Sequence, residues 1–271
     1  MPDQNLESQV SSEESRSAEV FTDTHCHIHE ADYPETEAAF KRAGEAGVTR
    51  LICVGTDEKT SVEAVEFADT HNHVWASVGL HPHDAKSGVS AVAELEELIK
   101  TRQKVVAVGE CGLDYFYDNS PRASQIDMLH AQLELAGKYD LAVIFHVREA
   151  FDDFWPIWRE HKVRRAVLHS FTDSVANLEK AVQEGLFIGV NGISTFARDK
   201  QAMYAAIPAE NLLLETDSPF LTPTPYRGKV NEPAYLTLVA KHIADLQSIN
   251  LQELSAATER NATKLFFKTN S

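Results

Sequence analysis

Short runs of apolar residues recur along the chain from Val20 onward, and polar or glycine-rich segments separate them. Eight such runs cover residues 20–25, 49–55, 74–80, 105–109, 141–145, 165–168, 186–190 and 212–214. Short apolar runs bounded in this way are typical of strands that are buried on both faces. We therefore predict eight strands.

Most of the segments between these runs have a helix-like pattern. Examples are residues 35–43, 92–101, 125–138, 175–184 and 200–207, and residues 235–267 predict closing helices. Strands that alternate with helices indicate βαβ units and a parallel sheet, and eight of them favour a single (β/α)8 TIM-type barrel. The alternative is an open doubly wound sheet, but no G-x-G-x-x-G or P-loop motif follows the first strand.

The length and composition fit one large domain after a short tail. The chain has 271 residues, 43% of them hydrophobic, and α/β barrels have about 250 residues. Residues 1–19 are rich in Ser, Glu and Gln, which predicts a disordered acidic tail. We assign residues 20–271 to the barrel.

Net charge and cysteine content limit the partners and the compartment. The formal net charge is −16, which repels nucleic acids and membranes at long range. A polyanionic substrate must then be held locally, by metal ions or a small basic patch. No apolar run reaches the roughly 20 residues of a membrane helix, and no secretory signal begins the sequence. Cys26, Cys53 and Cys111 form no C-x-x-C pair, so we expect a soluble cytoplasmic protein.

Ionisable residues stand at the ends of five of the predicted strands. The first strand ends in His25-Cys26-His27, and alternation along a strand points both imidazoles the same way. The others are Glu110, His146, His169 and Asp217, at the ends of strands 4, 5, 6 and 8. Such residues are costly to bury unless they are satisfied, and barrel active sites collect residues from the C-terminal ends of several strands. We predict that these six residues converge on metal.

Six ligands exceed what one catalytic ion with an open position needs, which predicts two ions. Glu110, on a central strand, is the natural bridging carboxylate. Two such ions can activate water and stabilise an in-line displacement, and Asp217 is then the general base. Magnesium, manganese and zinc all suit these ligands.

Each of these residues also has a purely structural interpretation. A single histidine at a strand end is more often a hydrogen-bonded structural residue, Glu110 can pair with an arginine, and Asp217 can cap a helix. His81 is predicted to contact substrate or support a ligand, and His83 to be a loop residue. The remaining histidines, among them His29, are expected at the surface.

Basic and aromatic residues follow several of the predicted strands. Arg148, Arg227 and Lys229 are predicted to position phosphates. The aromatic residues 115–117 can stack on bases or pack within their own loop. Cys26 and Cys111 are expected to be small buried groups.

Several short motifs occur along the chain: 23–27 (DTHCH), 79–82 (GLHP), 109–114 (GECGLD), Gln125, 132–136 (QLELA), 146–148 (HVR), 168–171 (LHSF), 214–219 (LETDSP) and 227–233 (RGKVNEP). These motifs resemble those of the TatD-like metal-dependent deoxyribonucleases, which are amidohydrolase-like barrels. The resemblance covers residues 21–266. Departures from the family pattern are Thr172 and Asp173 after the strand 6 histidine, Glu149 in place of an aspartate, and the acidic tail.

The resemblance implies divalent ions held by the same six residues, and hydrolysis of DNA phosphodiester bonds, often by a 3′-to-5′ exonuclease. The expected partner is therefore DNA, preferably single-stranded. An amide or ester hydrolase acting on a small molecule or an aminoacyl-nucleic acid is the alternative, which the net charge favours. A scaffold that retains the barrel without activity is the third hypothesis. The sequence does not determine the oligomeric state.

Overall fold

Eight parallel strands form one sheet that follows the chain order from β1 to β8 in the computed structural model, which describes residues 19–117 and 119–267. The strands are β1 (Phe21–Cys26), β2 (Val48–Val54), β3 (Val74–Val78), β4 (Val105–Asp114), β5 (Ala142–Arg148), β6 (Ala166–Leu168), β7 (Phe187–Val190) and β8 (Leu212–Leu214). The first and last strands meet, because Thr24 Oγ1 donates to the Leu214 carbonyl at 3.0 Å and the Asp217 amide donates to the His25 carbonyl at 2.9 Å. The predicted (β/α)8 barrel is confirmed.

Helices connect the strands and surround the barrel. They are α1 (Thr36–Glu45), α2 (Glu58–Thr70), α3 (Val92–Thr101), α4 (Arg122–Tyr139), α5 (Phe151–Glu160), α6 (Val175–Gln183), α7 (Gln201–Ala205), α8 (Leu236–Gln247) and α9 (Leu251–Phe266). The predicted closing segment is thus two helices. Asn250 begins the second with a capping box, in which its side chain accepts from the Glu253 amide at 2.7 Å.

Strands β4 and β5 continue beyond the ends that the sequence predicts. Glu110 and His146 were expected directly after their strands, but each lies inside one, and the pairing of β4 with β5 continues to Asp114 and Arg148. That part of the prediction is wrong, because the ionisable side chains satisfy one another and strand pairing resumes at Cys111 after an irregularity in register between Val108 and Cys111. Gly112 allows the close approach, since its φ is +151° and a Cβ there would overlap the His146 carbonyl.

Helix α9 closes the N-terminal end of the barrel. The barrel interior holds one apolar cluster, in which Ile144, Val167 and Leu213 pack with Leu265 and Phe266 of the helix. At the same end, the Arg50 guanidinium donates to Thr22 Oγ1 and to Glu259. The C-terminal end of the barrel therefore remains open for a site.

The predicted disordered tail, residues 1–19, lies outside the described part of the chain except for Glu19. Among the helices of residues 19–117 and 119–267, none combines the length and apolar character that crossing a membrane requires.

Candidate metal centre

His25 and His27 point into the open end of the barrel. Their Nε2 atoms lie 3.1 Å apart. His27 Nδ1 lies 2.8 Å from the Val54 carbonyl, an oxygen that can only accept. Nδ1 therefore carries the proton in neutral His27, and the lone pair on Nε2 faces the centre.

Glu110 lies between two groups of side chains, and each carboxylate oxygen faces one of them. Oε2 is 3.3 Å from His25 Nε2. Oε1 is 2.9 Å from His146 Nδ1 and 3.7 Å from His169 Nε2. Both oxygens of one carboxylate are thus directed at different sets of imidazoles.

Asp217 joins the group that contains the two β1 histidines. Its Oδ1 lies 3.4 Å from His27 Nε2, 3.5 Å from His25 Nε2 and 4.0 Å from His169 Nε2. The residue adopts a left-handed conformation with φ of +57°, a region that few non-glycine residues adopt and in which aspartate is enriched. Such a conformation persists where the surroundings impose it, and functional sites are common places for it.

Asp114 supports His146 from the side opposite Glu110. Its Oδ2 lies 3.0 Å from His146 Nε2 and 3.0 Å from His83 Nε2. Its Oδ1 accepts the amide protons of Phe116 and Tyr117 at 3.0 and 3.1 Å. One carboxylate therefore fixes both an imidazole of the site and the loop that follows β4.

Glu215 supports His169 in a comparable way. Its Oε1 lies 2.9 Å from His169 Nδ1 and accepts the Ser170 amide at 2.7 Å. Gly189 makes room for it, because a Cβ on that residue would overlap Glu215 Oε2. The contact at Nδ1 leaves His169 Nε2 directed at Glu110 and Asp217.

The donor atoms fit divalent metal ions. Ligand atoms bound about 2.0–2.2 Å from one ion lie roughly 3–3.5 Å from each other, which is the range of the contacts among His25, His27, Glu110 and Asp217. One group that offers three such atoms within 4.8 Å of one another is formed by His25, His27 and Glu110. Imidazole and carboxylate are ligands that zinc, manganese and magnesium sites use.

The charges of the site also call for cations. Burial raises the pKa of Glu110, but His169 and His25 outweigh burial and hold that pKa well below its usual range. Burial lowers the pKa of His169, but Glu215 and Glu110 outweigh it and raise that pKa to about 10. In the protein alone, the buried carboxylates therefore draw protons onto imidazole, and a bound cation would supply the same positive charge.

His81 faces the centre as a hydrogen-bond donor. Its Nδ1 accepts the His83 amide at 3.2 Å, and its Nε2 lies 3.6 Å from Glu110 Oε1. Burial lowers the pKa of His81 to about 3, so the ring is neutral and Nε2 carries its proton. His83, predicted as a loop residue, does lie in a short 3-10 turn, but it also contacts Asp114 and lines the cavity.

The centre lies at the bottom of a cavity of about 640 Å³. Arg148 lines this cavity, and its predicted contact with substrate remains a prediction. Arg227 and Lys229 do not line it; the Arg227 guanidinium stacks 3.8 Å from the Phe196 ring and donates to the Thr222 carbonyl. The predicted roles of Arg227 and Lys229 remain predictions.

Sequence reasoning missed Asp23, Asp114 and Glu215. Asp23 is fully buried and accepts from the amides of His25 and Thr216. Alternation was the available signal, since Asp23, Glu215 and Asp114 each stand two or four residues from a predicted ligand along a strand or its extension. His29, expected at the surface, is 8% exposed, so that expectation is wrong; its ring centroid lies 6.2 Å from that of His27.

Comparisons with known proteins agree with this geometry. The family model described as TatD related DNase matches residues 22–267. The uncharacterised metal-dependent hydrolase YabD of Bacillus subtilis is 36% identical over 250 residues, which cover 90% of this chain and 98% of that protein. The 3′-5′ ssDNA/RNA exonuclease TatD of Erwinia tasmaniensis is 38% identical over 244 residues, 86% of this chain and 93% of that protein. The crystal structure of the TatD homologue YjjV of Escherichia coli superposes with a TM-score of 0.87 at 33% identity, covering 92% of this chain and 98% of that chain.

Proposed function

Because the chain belongs to the TatD related DNase family and is a metal-dependent hydrolase, we propose that it hydrolyses phosphodiester bonds of DNA as a 3′-to-5′ exonuclease. The preferred substrate is a single strand. Relatives named 3′-5′ ssDNA/RNA exonuclease support the substrate class. The placement of Glu110 between two groups of ligands is the observation that carries the proposal of two ions.

Each group of ligands would hold one ion. His25, His27, Asp217 and Glu110 Oε2 form the first group, and His146, His169 and Glu110 Oε1 form the second. When bound, divalent ions supply a lowered pKa for water and positive charge against the reacting phosphate. We propose magnesium, manganese or zinc as the bound ions.

The side chains that remain have roles around the reacting phosphate. The Asp217 side chain is 14% exposed and borders the cavity, so its carboxylate can accept the proton of the attacking water. The neutral His81 can donate from Nε2 to a phosphate oxygen. Arg148 can hold a neighbouring phosphate through paired hydrogen bonds.

Incubation with end-labelled single-stranded DNA tests this proposal across magnesium, manganese and zinc. Glu110→Ala and Asp217→Asn should each lower kcat/KM by roughly 10²- to 10³-fold or more, as loss of electrostatic stabilisation does elsewhere. Glu45→Gln is the matched control, since Glu45 lies on the surface with its side chain 63% exposed. A 5′ label should yield a ladder that shortens from the 3′ end. Wild-type turnover in both site variants at matched metal would reject the proposal.

The acidic lining of the cavity favours amide or ester hydrolysis as a second candidate function. Glu30, Asp84 and Asp114 line the cavity with the two ligand carboxylates, and negative charge disfavours long polyanions. Release of p-nitrophenol from a small ester, compared with nucleotide release from DNA, separates the two candidate functions.

A cytosolic location is proposed as well, because Cys26, Cys53 and Cys111 are free and buried.

A further inference from the structure

Three exposed aromatic side chains stand at the mouth of the cavity, and we name them the aromatic rim: Phe116, Tyr117 and Phe220. Their exposed fractions are 50%, 45% and 57%. Tyr117 and Phe220 line the cavity directly. Large exposed apolar side chains grouped around a site commonly mark a binding surface.

The residues of the aromatic rim lie on two opposite sides of the metal centre. Phe116 and Tyr117 follow β4, and Phe220 follows β8. In a closed barrel of eight strands in sequence order, β4 and β8 are four strands apart and therefore face each other across the axis. A ligand bound at the metal centre thus has aromatic rings on both sides.

Both halves of the aromatic rim are fixed to residues of the centre. Asp114 holds the amides of Phe116 and Tyr117 with one oxygen and contacts His146 with the other. The Phe220 amide donates to the Asp217 carbonyl at 2.8 Å. Its ring lies edge-on to His27, with the ring centroids 6.3 Å apart. Rings that are positioned before binding lose little conformational entropy when a ligand stacks on them.

The charge around the cavity argues for recognition of bases. Within the described part of the chain, Arg148 is the only arginine or lysine that lines the cavity, and five carboxylate residues line it too: Glu30, Asp84, Glu110, Asp114 and Asp217. Arg148 itself lies 3.9 Å from the Phe116 ring centroid and 4.9 Å from that of Tyr117. Apart from the ions that the centre would hold, the cavity offers phosphates few fixed positive charges. Stacking can add affinity that does not depend on charge, because every base offers a π-face.

We propose that the aromatic rim holds the two bases that flank the scissile phosphodiester, one on Phe220 and the other on Phe116 and Tyr117. The inference rests on the proposed function. Bases of a duplex are paired and stacked on each other, so only an unpaired strand can place its bases on opposite sides of the centre. The aromatic rim would then be the feature that selects single strands.

Two 5′-labelled oligonucleotides test the role of the aromatic rim. One carries natural bases throughout, and the other has base-free tetrahydrofuran residues at its last two 3′ positions. The wild-type protein should hydrolyse the natural strand with a kcat/KM roughly 5- to 100-fold higher for each base that stacks. Phe220→Ala, and Phe116→Ala combined with Tyr117→Ala, should each remove much of this preference.

Matched variants separate stacking from apolar bulk. Phe220→Tyr retains a ring and should keep the preference, whereas Phe220→Leu should lose it. Val230→Ala is the control, because Val230 belongs to the same segment after β8, is 52% exposed and does not line the cavity. Because Phe220 is exposed, its variants are expected to fold, and circular dichroism checks this.

The outcomes distinguish the inference from the function on which it rests. Two results would overturn the proposed role of the aromatic rim while the nuclease activity stands. One is equal cleavage of both oligonucleotides by the wild type, and the other is full preference for natural bases in Phe220→Ala. Loss of self-association in Phe220→Ala without a change in base preference would assign the surface to a second copy of the chain, and would also overturn it. Failure to cleave any phosphodiester would remove both proposals.

Discussion

Glu215 lies behind the metal centre, where it contacts Nδ1 of His169 and does not line the cavity. It is 0% exposed and also accepts hydrogen bonds from the Ser170 amide and the Asn191 side chain. A carboxylate at Nδ1 fixes the tautomer and the orientation of a ligating histidine, and makes it a stronger ligand. We therefore propose Glu215 as a positioning residue for His169.

Replacing Glu215 by Gln should weaken metal binding, because the amide removes the negative charge that supports His169. Loss of such a supporting carboxylate lowers metal affinity or activity about 10- to 100-fold. Isothermal titration with manganese or zinc measures the change, with the exposed Glu45→Gln as the control. Activity should return at saturating metal. Unchanged affinity in Glu215→Gln would show that this carboxylate serves only the packing around Gly189.

Residue patterns in the sequence predict most of the side chains at the centre. The structure brings the six predicted ligands together, because each follows or continues an apolar strand and all strands end on one side. Asp114 and Glu215 follow the same alternation, but alternation alone does not distinguish a supporting carboxylate from a ligand. What identifies them is the distance to an imidazole in another strand, which depends on sheet register.

Helix α9 closes the N-terminal end of the barrel, opposite the end that holds the candidate metal centre. Leu265 is fully buried among residues of the barrel interior. Asn261 donates to the Leu212 and Ala209 carbonyls, and the Arg165 guanidinium donates to the Leu265 carbonyl. The helix therefore seals the barrel by apolar packing and by satisfying polar groups beside β8 and β6.

Leu265→Ala should destabilise the protein by about 2–5 kcal/mol, because it leaves a cavity where packing is complete. Urea unfolding followed by circular dichroism measures this loss. The exposed neighbour Lys264→Ala should stay within about 0.5 kcal/mol of wild type. Nuclease turnover per folded molecule should not change in Leu265→Ala, because the helix lies at the end of the barrel away from the metal centre. A comparable loss in both variants would contradict the role of α9 as a seal.

Periodicity predicts the number and order of the elements better than their ends. β8 is predicted over its observed residues, whereas β4 extends from the predicted 109 to Asp114. Polarity marks the end of a strand only where water satisfies the polar group. At β4 and β5 the polar groups satisfy each other instead, and local sequence does not contain that information.

At the scale of the whole molecule, barrel closure places several carboxylates against few fixed positive charges. The six predicted ligands come from five strands, so no segment of the chain forms the centre alone. Asp23 shows the cost: burial raises its pKa to about 7, despite hydrogen bonds from Thr216 and the His25 amide. The sequence predicts this convergence through the eight-strand pattern, but not the distances within it.

Divalent metal should therefore stabilise the folded protein, since the assembled ligands exist only in the native state. At a free metal concentration 100 times the dissociation constant, one site contributes about 2.7 kcal/mol, which corresponds to a Tm increase of roughly 5–10 °C for a domain of this size. Differential scanning fluorimetry with EDTA, magnesium, manganese and zinc measures the shift in Tm.

Leu265→Ala should begin from a lower Tm and show the same increase on metal binding, because the helix and the centre lie at opposite ends of the barrel. Glu110→Ala should lose most of the increase, since its carboxylate faces both groups of ligands. An equal increase in Glu110→Ala and in the wild type would mean that the stabilising metal binds elsewhere on the acidic surface.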